Sequence, residues 1–314
     1  MKKLILSLSI CLIPFLGFTQ KPDRNLLNWV NTNSIDLKEG EIYLERLSEE
    51  MKDKSLLGLG ESTHGTKEFF TEKNRIVQYL IKKESCRIIG FEFNDSYIQP
   101  INQFILTGEG DLKALMSDFR LYKTHEFFDL FTSLKDFNKN LPTNEKVQVF
   151  GFDDSYFYPD RDSLMAKNIL NKLIESKEKI IIWGHDVHIA KDKTAGFEAM
   201  GGFLHRKLSD KYYNIAFDTY QGTVNNIAYE NEQWKISSNT LVIPLNNFSE
   251  LFSKVKYPQF FINFGAEDTY YGTVSNKTHI FSDWRRPFEI PTALGKDFNA
   301  IIFFRETNAS AIIE

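Results

Sequence analysis

Cysteine is almost absent from this chain: among 314 residues only Cys11 and Cys86 carry a thiol. Cys11 lies in an amino-terminal apolar run, and once that run is cleaved Cys86 has no partner for an internal disulfide. It precedes Arg87-Ile88-Ile89-Gly90-Phe91, which reads as a buried strand, and no histidine stands near it. We expect an inert thiol rather than a nucleophile. The chain also lacks a basic stripe and a long acidic run. Its net charge is −4 with both signs interspersed, which argues against a nucleic-acid partner and against a charged disordered tail. No repeat, low-complexity tract or Pro/Gly/Ser-rich linker divides it, so a single domain is the simplest organisation. No Gly-x-Ser-x-Gly elbow occurs. Ser62 and Ser155 stand near strand ends without that turn around them, so serine-nucleophile chemistry is disfavoured.

What the chain does have begins with an export signal. Lys2 and Lys3 precede a hydrophobic run from Leu4 to Phe18 that is broken by Pro14 and followed by a short polar exit. The run is short for a membrane span, so a cleaved signal peptide over residues 1–19 is expected, leaving a periplasmic or secreted domain over 20–314 without a stable membrane insertion. Aromatics are abundant at 14%, with 28 phenylalanines, enough for a large core and for an apolar pocket wall.

Short apolar runs alternate with helical patterns. Strands are expected at Ser55–Leu59, Arg87–Phe93, Val147–Phe152, Lys179–Trp183, Tyr213–Asp218, Gln259–Asn263 and Ala300–Phe304, with a hairpin or edge pair from Thr223–Tyr229 and Gln233–Ser237. Amphipathic helices are expected over Glu41–Lys52, Thr66–Lys83, Asp162–Ser176 and Asn247–Lys256, with further helical segments through Asn138. This order implies an α/β fold: a mainly parallel sheet with helices on both faces and helical insertions. Right-handed crossovers then bring the carboxyl ends of the strands to one edge, where ligands bind in such sheets.

Two segments lie at that edge, Gly60-Glu61-Ser62-Thr63-His64-Gly65 and Gly184-His185-Asp186-Val187-His188. They hold three of the six histidines. A carboxylate three residues before an imidazole can fix its tautomer and raise its basicity, as a general base requires. The glycines at 60 and 65 are expected to supply backbone angles that other residues resist. On spacing alone, Glu61 and His64 suit equally well the capping and packing of a helix entrance. His185 and His188 suggest a second use, a zinc or manganese pair completed by Glu61, His64 or Asp153, or a haem- or metal-binding module without catalysis. The preferred reading has no metal and no cofactor. Glu92 and Asp153 end the second and third strands and need partners if buried. Arg75 sits mid-helix on the face of Glu68 and Glu72, a surface ion-pair pattern by spacing alone. His205 is expected at the surface, as is His279, for which a place bordering a ligand site near Trp284-Arg285-Arg286 is the alternative; His125 has no setting comparable to the other histidines.

The run Leu57-Gly58-Leu59-Gly60-Glu61-Ser62-Thr63-His64-Gly65-Thr66-Lys67-Glu68-Phe69 resembles the signature of the erythromycin esterase family. Arg75, Glu92, Gly151-Phe152-Asp153, Gly184-His185-Asp186-Val187-His188 and Met200-Gly201 with Leu204 and Tyr213 agree with it in order. Lys67 and Asp186 depart from the pattern, the latter standing where asparagine is usual. The resemblance implies hydrolysis of a macrolide lactone by an activated water, without a covalent intermediate. It makes His64 the base, Glu61 its orienting carboxylate, and Arg75, His185 and His188 the groups that bind the carbonyl or its oxyanion, with Glu92 and Asp153 beside the substrate. The implied partner is a small ester or lactone.

Overall fold

The computed structural model describes residues 24–155, 158–230, 233–282 and 287–314; the expected signal peptide lies outside them. The strands are β1 (Ile35–Asp36), β2 (Leu56–Leu59), β3 (Ile88–Phe91), β4 (Gln148–Gly151), β5 (Ile180–Trp183), β6 (Tyr212–Glu230), β7 (Gln233–Thr240), β8 (Gln259–Asn263), β9 (Val274–His279), β10 (Phe288–Ala293) and β11 (Ala300–Thr307). The α-helices are α1 (Arg24–Asn33), α2 (Ile42–Met51), α3 (Lys67–Lys83), α4 (Asp95–Thr107), α5 (Leu112–Leu115), α6 (His125–Asn138), α7 (Arg161–Ser176), α8 (Asp186–Ile189), α9 (Met200–Leu208) and α10 (Phe248–Ser253).

The large sheet runs β1-β8-β11-β6-β2-β5-β3-β4, with β7 paired to β6. From β11 through β4 neighbouring strands are parallel, whereas β8 joins β11, β1 joins β8 and β7 joins β6 antiparallel. The expectation of a mainly parallel sheet is thus corrected to a mixed one. The antiparallel members sit at one edge and on the far half of β6, where short connections and a hairpin replace helical crossovers.

Strands β2, β3 and β5 are buried at every residue. That explains their unbroken apolar sequences: both faces of the sheet are covered. On one face Leu57, Leu59, Ile89, Phe91, Ile181 and Trp183 pack against α2, α3, α4 and α6. On the other, Leu56, Ile88, Ile180 and Ile182 pack against residues of α1, α7, α9 and α10. The same alternation commits each strand residue to one of two cores. Cys86 is free and buried, and burial pushes its thiol up to about 12, as expected for an inert side chain.

Register aligns the strand ends. Leu59 and Phe91 both stand opposite Trp183, and Phe91 stands opposite Gly151. Glu61, Glu92, Asp153 and His185, each one or two residues further on, therefore share the carboxyl edge. A second hairpin, β9 with β10, closes over this edge: Ile280 N–H donates to the Ser62 carbonyl at 2.7 Å.

Gly60 and Gly65 serve a purpose other than the one expected of them. Neither has a positive φ. A methyl group at Gly60 would overlap the Asp186 carboxylate, and one at Gly65 would overlap the Asn225 carbonyl. The glycines let neighbouring elements approach the loop at the carboxyl edge of the sheet. Positive φ occurs instead at Gly222, where β6 continues unbroken over 19 residues through a point at which the sequence suggested two strands.

Candidate active site

Glu61 is the hub. Its carboxylate is fully buried and accepts four hydrogen bonds from four different parts of the chain. Oε1 is 2.8 Å from His64 Nδ1 and 2.6 Å from the Tyr122 hydroxyl; Oε2 is 2.6 Å from Lys73 Nζ and 2.9 Å from Trp183 Nε1. Burial opposes ionisation of Glu61. The Lys73 ammonium and the His64 hydrogen bond outweigh burial and hold its pKa below the ordinary carboxylate value. An ionised carboxylate only accepts hydrogen bonds, so His64 Nδ1 carries a proton toward it, and Nε2 is left with the basic lone pair. Tyr122 Oη also touches His64 Nδ1 at 2.6 Å, and burial followed by the Glu61 charge pushes its phenol well up, keeping it a neutral donor.

A second polar cluster occupies the same edge. Arg161, at the start of α7, donates from Nη2 to Glu92 Oε1 and to Asp153 Oδ2, both at 2.7 Å. Its Nη1 lies 3.1 Å from His188 Nε2, and His188 Nδ1 is 2.8 Å from Asp162 Oδ1. Glu92 Oε2 accepts the His185 backbone N–H at 2.7 Å. Burial would raise Glu92, but His188, Arg161 and His64 together hold it at about 2. For His188, burial disfavours the charged ring, yet Glu92 and Asp162 prevail and raise its pKa.

His185 stands between the clusters. Its ring centre is 4.8 Å from that of His64 and 5.5 Å from that of His279. Its Nδ1 accepts the Val187 N–H as the cap of α8. Behind it, Asp186 and Lys277 form a fully buried pair at 2.6 Å, with Asp218 3.6 Å from the same ammonium. This pair pins the β9 end of the hairpin beneath the imidazoles.

The family profile described as erythromycin esterase matches residues 154–307, which contain His185, Asp186, His188 and Arg161. Over that stretch the chain is similar to the erythromycin esterase family. Glu61, His64 and Glu92 precede the matched stretch, and the fold brings them to its histidines. Among solved structures, a Bacillus cereus protein superposes with a TM-score of 0.80 at 20% identity, covering 92% of this chain and 99% of its own. A succinoglycan biosynthesis protein gives 0.81 at 19%, covering 94% and 100%. A mutant of the erythromycin esterase EreC in its open conformation gives 0.68 at 13%, covering 88% and 96%. At these identities the likeness establishes the fold. No curated protein sequence matches the chain.

Of the residues singled out from sequence, this esterase-like edge gathers Glu61, His64, Glu92, Asp153, His185 and His188. Arg75 is not among them. Its guanidinium donates to the Gly40 carbonyl at 2.5 Å and to Glu72, and lies over the Tyr43 ring. The cation that α3 turns into the site is Lys73. Two residues separate the pair, and a helix rotates about 200° over that interval, so they point to opposite sides. The surface place preferred for His279 is corrected: it is buried beside His185, at the edge where its alternative reading would put it. His205 is exposed as expected, and His125 is exposed as well. Arg161, Tyr122, Trp183 and Asp162 had no local motif to mark them.

The metal alternative does not fit these residues. His188 has one nitrogen on Asp162 and the other against the Arg161 cation, and His185 Nδ1 is engaged by a backbone N–H. Among the described residues no group of three or more His, Cys, Asp and Glu side chains is arranged to hold an ion. No helix among them is long and apolar enough to cross a membrane.

Proposed function

We propose that this chain is a hydrolase that adds water across a carboxylic ester or lactone, with His64 as general base and a macrolide macrolactone as the first substrate class to test. The observation that carries this reading is the Glu61–His64 contact at 2.8 Å, in which the carboxylate is wholly buried and clamped by Lys73, Trp183 and Tyr122. A base needs a fixed tautomer and a nearby counter-charge for the imidazolium it becomes, and this arrangement supplies both.

Water attacks the acyl carbon as its proton passes to His64 Nε2, and the carbonyl electron pair moves onto oxygen. Collapse of the tetrahedral intermediate expels the alkoxide, which recovers the proton from His64. The products are an acid and an alcohol. Arg161 and His188 tie Glu92, Asp153 and Asp162 together at the same edge and so hold the wall of the site beside the substrate. We further propose that residues 1–19 export the protein, a reading tested by the mass of the mature chain recovered outside the cytoplasm.

The test is a panel of macrolides and simple acyl esters, read by mass spectrometry for the gain of one water. His64→Asn is expected to lower turnover by about 100- to 10,000-fold with folding intact. Undiminished hydrolysis in that variant removes His64 from the mechanism. Opening of small esters but of no macrolide keeps the hydrolase and rejects the antibiotic substrate.

A further inference from the structure

His279 takes no part in the chemistry above, yet it is built into the same edge. It ends β9, pairs with Phe288 across the hairpin, and precedes Ile280, whose N–H is tied to the loop that carries Glu61 and His64. His64, His185 and His279 form a continuous row of rings.

Two nitrogens in that row have no partner among the described residues, His185 Nε2 and His279 Nδ1, and both are buried. Because His185 Nδ1 accepts from Val187, its proton is on Nε2, a donor with nothing in the protein to receive it. Buried polar atoms without partners are uncommon in native folds, and two on adjoining rings point to a shared ligand. One oxygen at ordinary hydrogen-bond length from both nitrogens needs them no more than about 5.8 Å apart. Ring centres 5.5 Å apart allow that. His279 also borders a cavity of about 20 Å³ walled by Val187, Phe197, Ile290, Pro291 and Phe298, room for one water-sized atom beside an otherwise buried residue.

We propose that His185 Nε2 and His279 Nδ1 together bind the carbonyl oxygen of the ester and the oxyanion formed from it. This rests on the hydrolase reading for its chemistry. Both rings are neutral: burial, then His64 and His279, hold His185 well below the usual imidazole range, and burial, then Lys277, does the same for His279. The proposal assigns the His279 proton to Nδ1, the nitrogen without a protein partner among the described residues. A neutral pair stabilises an oxyanion without competing with His64 for the proton of water.

The decisive experiment uses the full chain with nitrogen-15-labelled histidine, titrated with the ethyl methylphosphonate anion, a tetrahedral stand-in for the intermediate. We expect saturable shifts of the His185 and His279 imidazole resonances. In His279→Ala the His185 shift should require roughly 100-fold more ligand, and His279→Asn, whose amide nitrogen replaces Nδ1, should recover most of the loss. If both resonances stay still in the parent protein, or the His279→Ala titration matches it, the proposal is overturned. On an ester that the parent protein opens, His279→Ala should lower kcat by about 100-fold with KM little changed. His279→Asn should recover part of that loss, and the pH dependence of turnover should match that of the parent protein. Normal turnover in His279→Ala sinks the proposal and leaves the hydrolase standing. A parent protein that opens no ester sinks the hydrolase, and the resonance titration still decides the imidazole pair. Thermal midpoints of both variants separate misfolding from lost binding.

Discussion

Replacing Glu92 by Gln removes a charge but keeps the shape of the side chain, and its effect can be worked from the surroundings. Glu92 accepts from Arg161 Nη2 and from the His185 N–H, both at 2.7 Å, and lies 3.4 Å from His188 Nε2. These partners lower its carboxyl from an ordinary 4.5 to about 2. The difference corresponds to roughly 3 kcal/mol of folded-state stabilisation. Its sign follows from the direction. A carboxyl with a depressed folded pKa stabilises the protein fully above its unfolded value, and the contribution is lost as pH falls from about 4.5 toward about 2. Glutamine does not titrate, so subtracting the variant's stability from the parent's isolates this one group, while the other carboxyls cancel. Urea unfolding measured at steps between about pH 7 and about pH 3 is expected to show a gap of about 3 kcal/mol near neutrality that narrows with acid. A gap that is constant with pH, or one that widens with acid, refutes the account of Glu92 as an ionised partner of Arg161 and His188.

The two cations of α3 give opposite expectations. Lys73→Met strands the Glu61 carboxylate in the core and is expected to cost about 3–5 kcal/mol in chemical denaturation, with hydrolysis abolished because the orientation of His64 depends on that charge. Arg75→Ala is expected to leave turnover intact and to cost about 1 kcal/mol, since Arg75 is itself partly exposed and Glu72, though buried, keeps the Tyr43 hydroxyl as a donor. Equal losses in the two variants, on either readout, are the contrary result. Gly60→Ala forces Asp186 away from its position and is expected to destabilise by about 1–3 kcal/mol in thermal or urea unfolding; an unchanged midpoint refutes the close-approach explanation.

Much of this architecture is local information. The runs at Leu56–Leu59 and Ile180–Trp183 are apolar at every position because both faces are buried, and that pattern is visible without a structure. Helices α2, α3 and α7 carry their own periodicity and fall within a residue or so of where it puts them. The Glu61–His64 pair was legible for the same reason: three residues across one tight turn decide whether the two side chains can meet. His185 and His188 likewise follow directly from the end of β5.

The rest depended on contacts between distant residues. Tyr122 reaches Glu61 across 61 residues and Arg161 reaches Glu92 across 69, and nothing in their own neighbourhoods marks them. Whether Lys73 or Arg75 faces the site depends on the phase of α3 against the sheet, which the spacing of charges alone left open. The β9–β10 hairpin escaped notice because Val274-Ser275-Asn276-Lys277-Thr278-His279 is mostly polar, with Ser275, Lys277 and His279 buried among other polar groups rather than in an apolar core. A buried lysine needs carboxylates, and those of Asp186 and Asp218 arrive from other parts of the chain. The sequence by itself set the buried strands of the sheet's centre, helices α2, α3, α7 and α10, and the Glu61–His64 pair. Tertiary structure decided which cations complete the site and brought His279 to it, because burying charge requires partners that only the folded chain assembles.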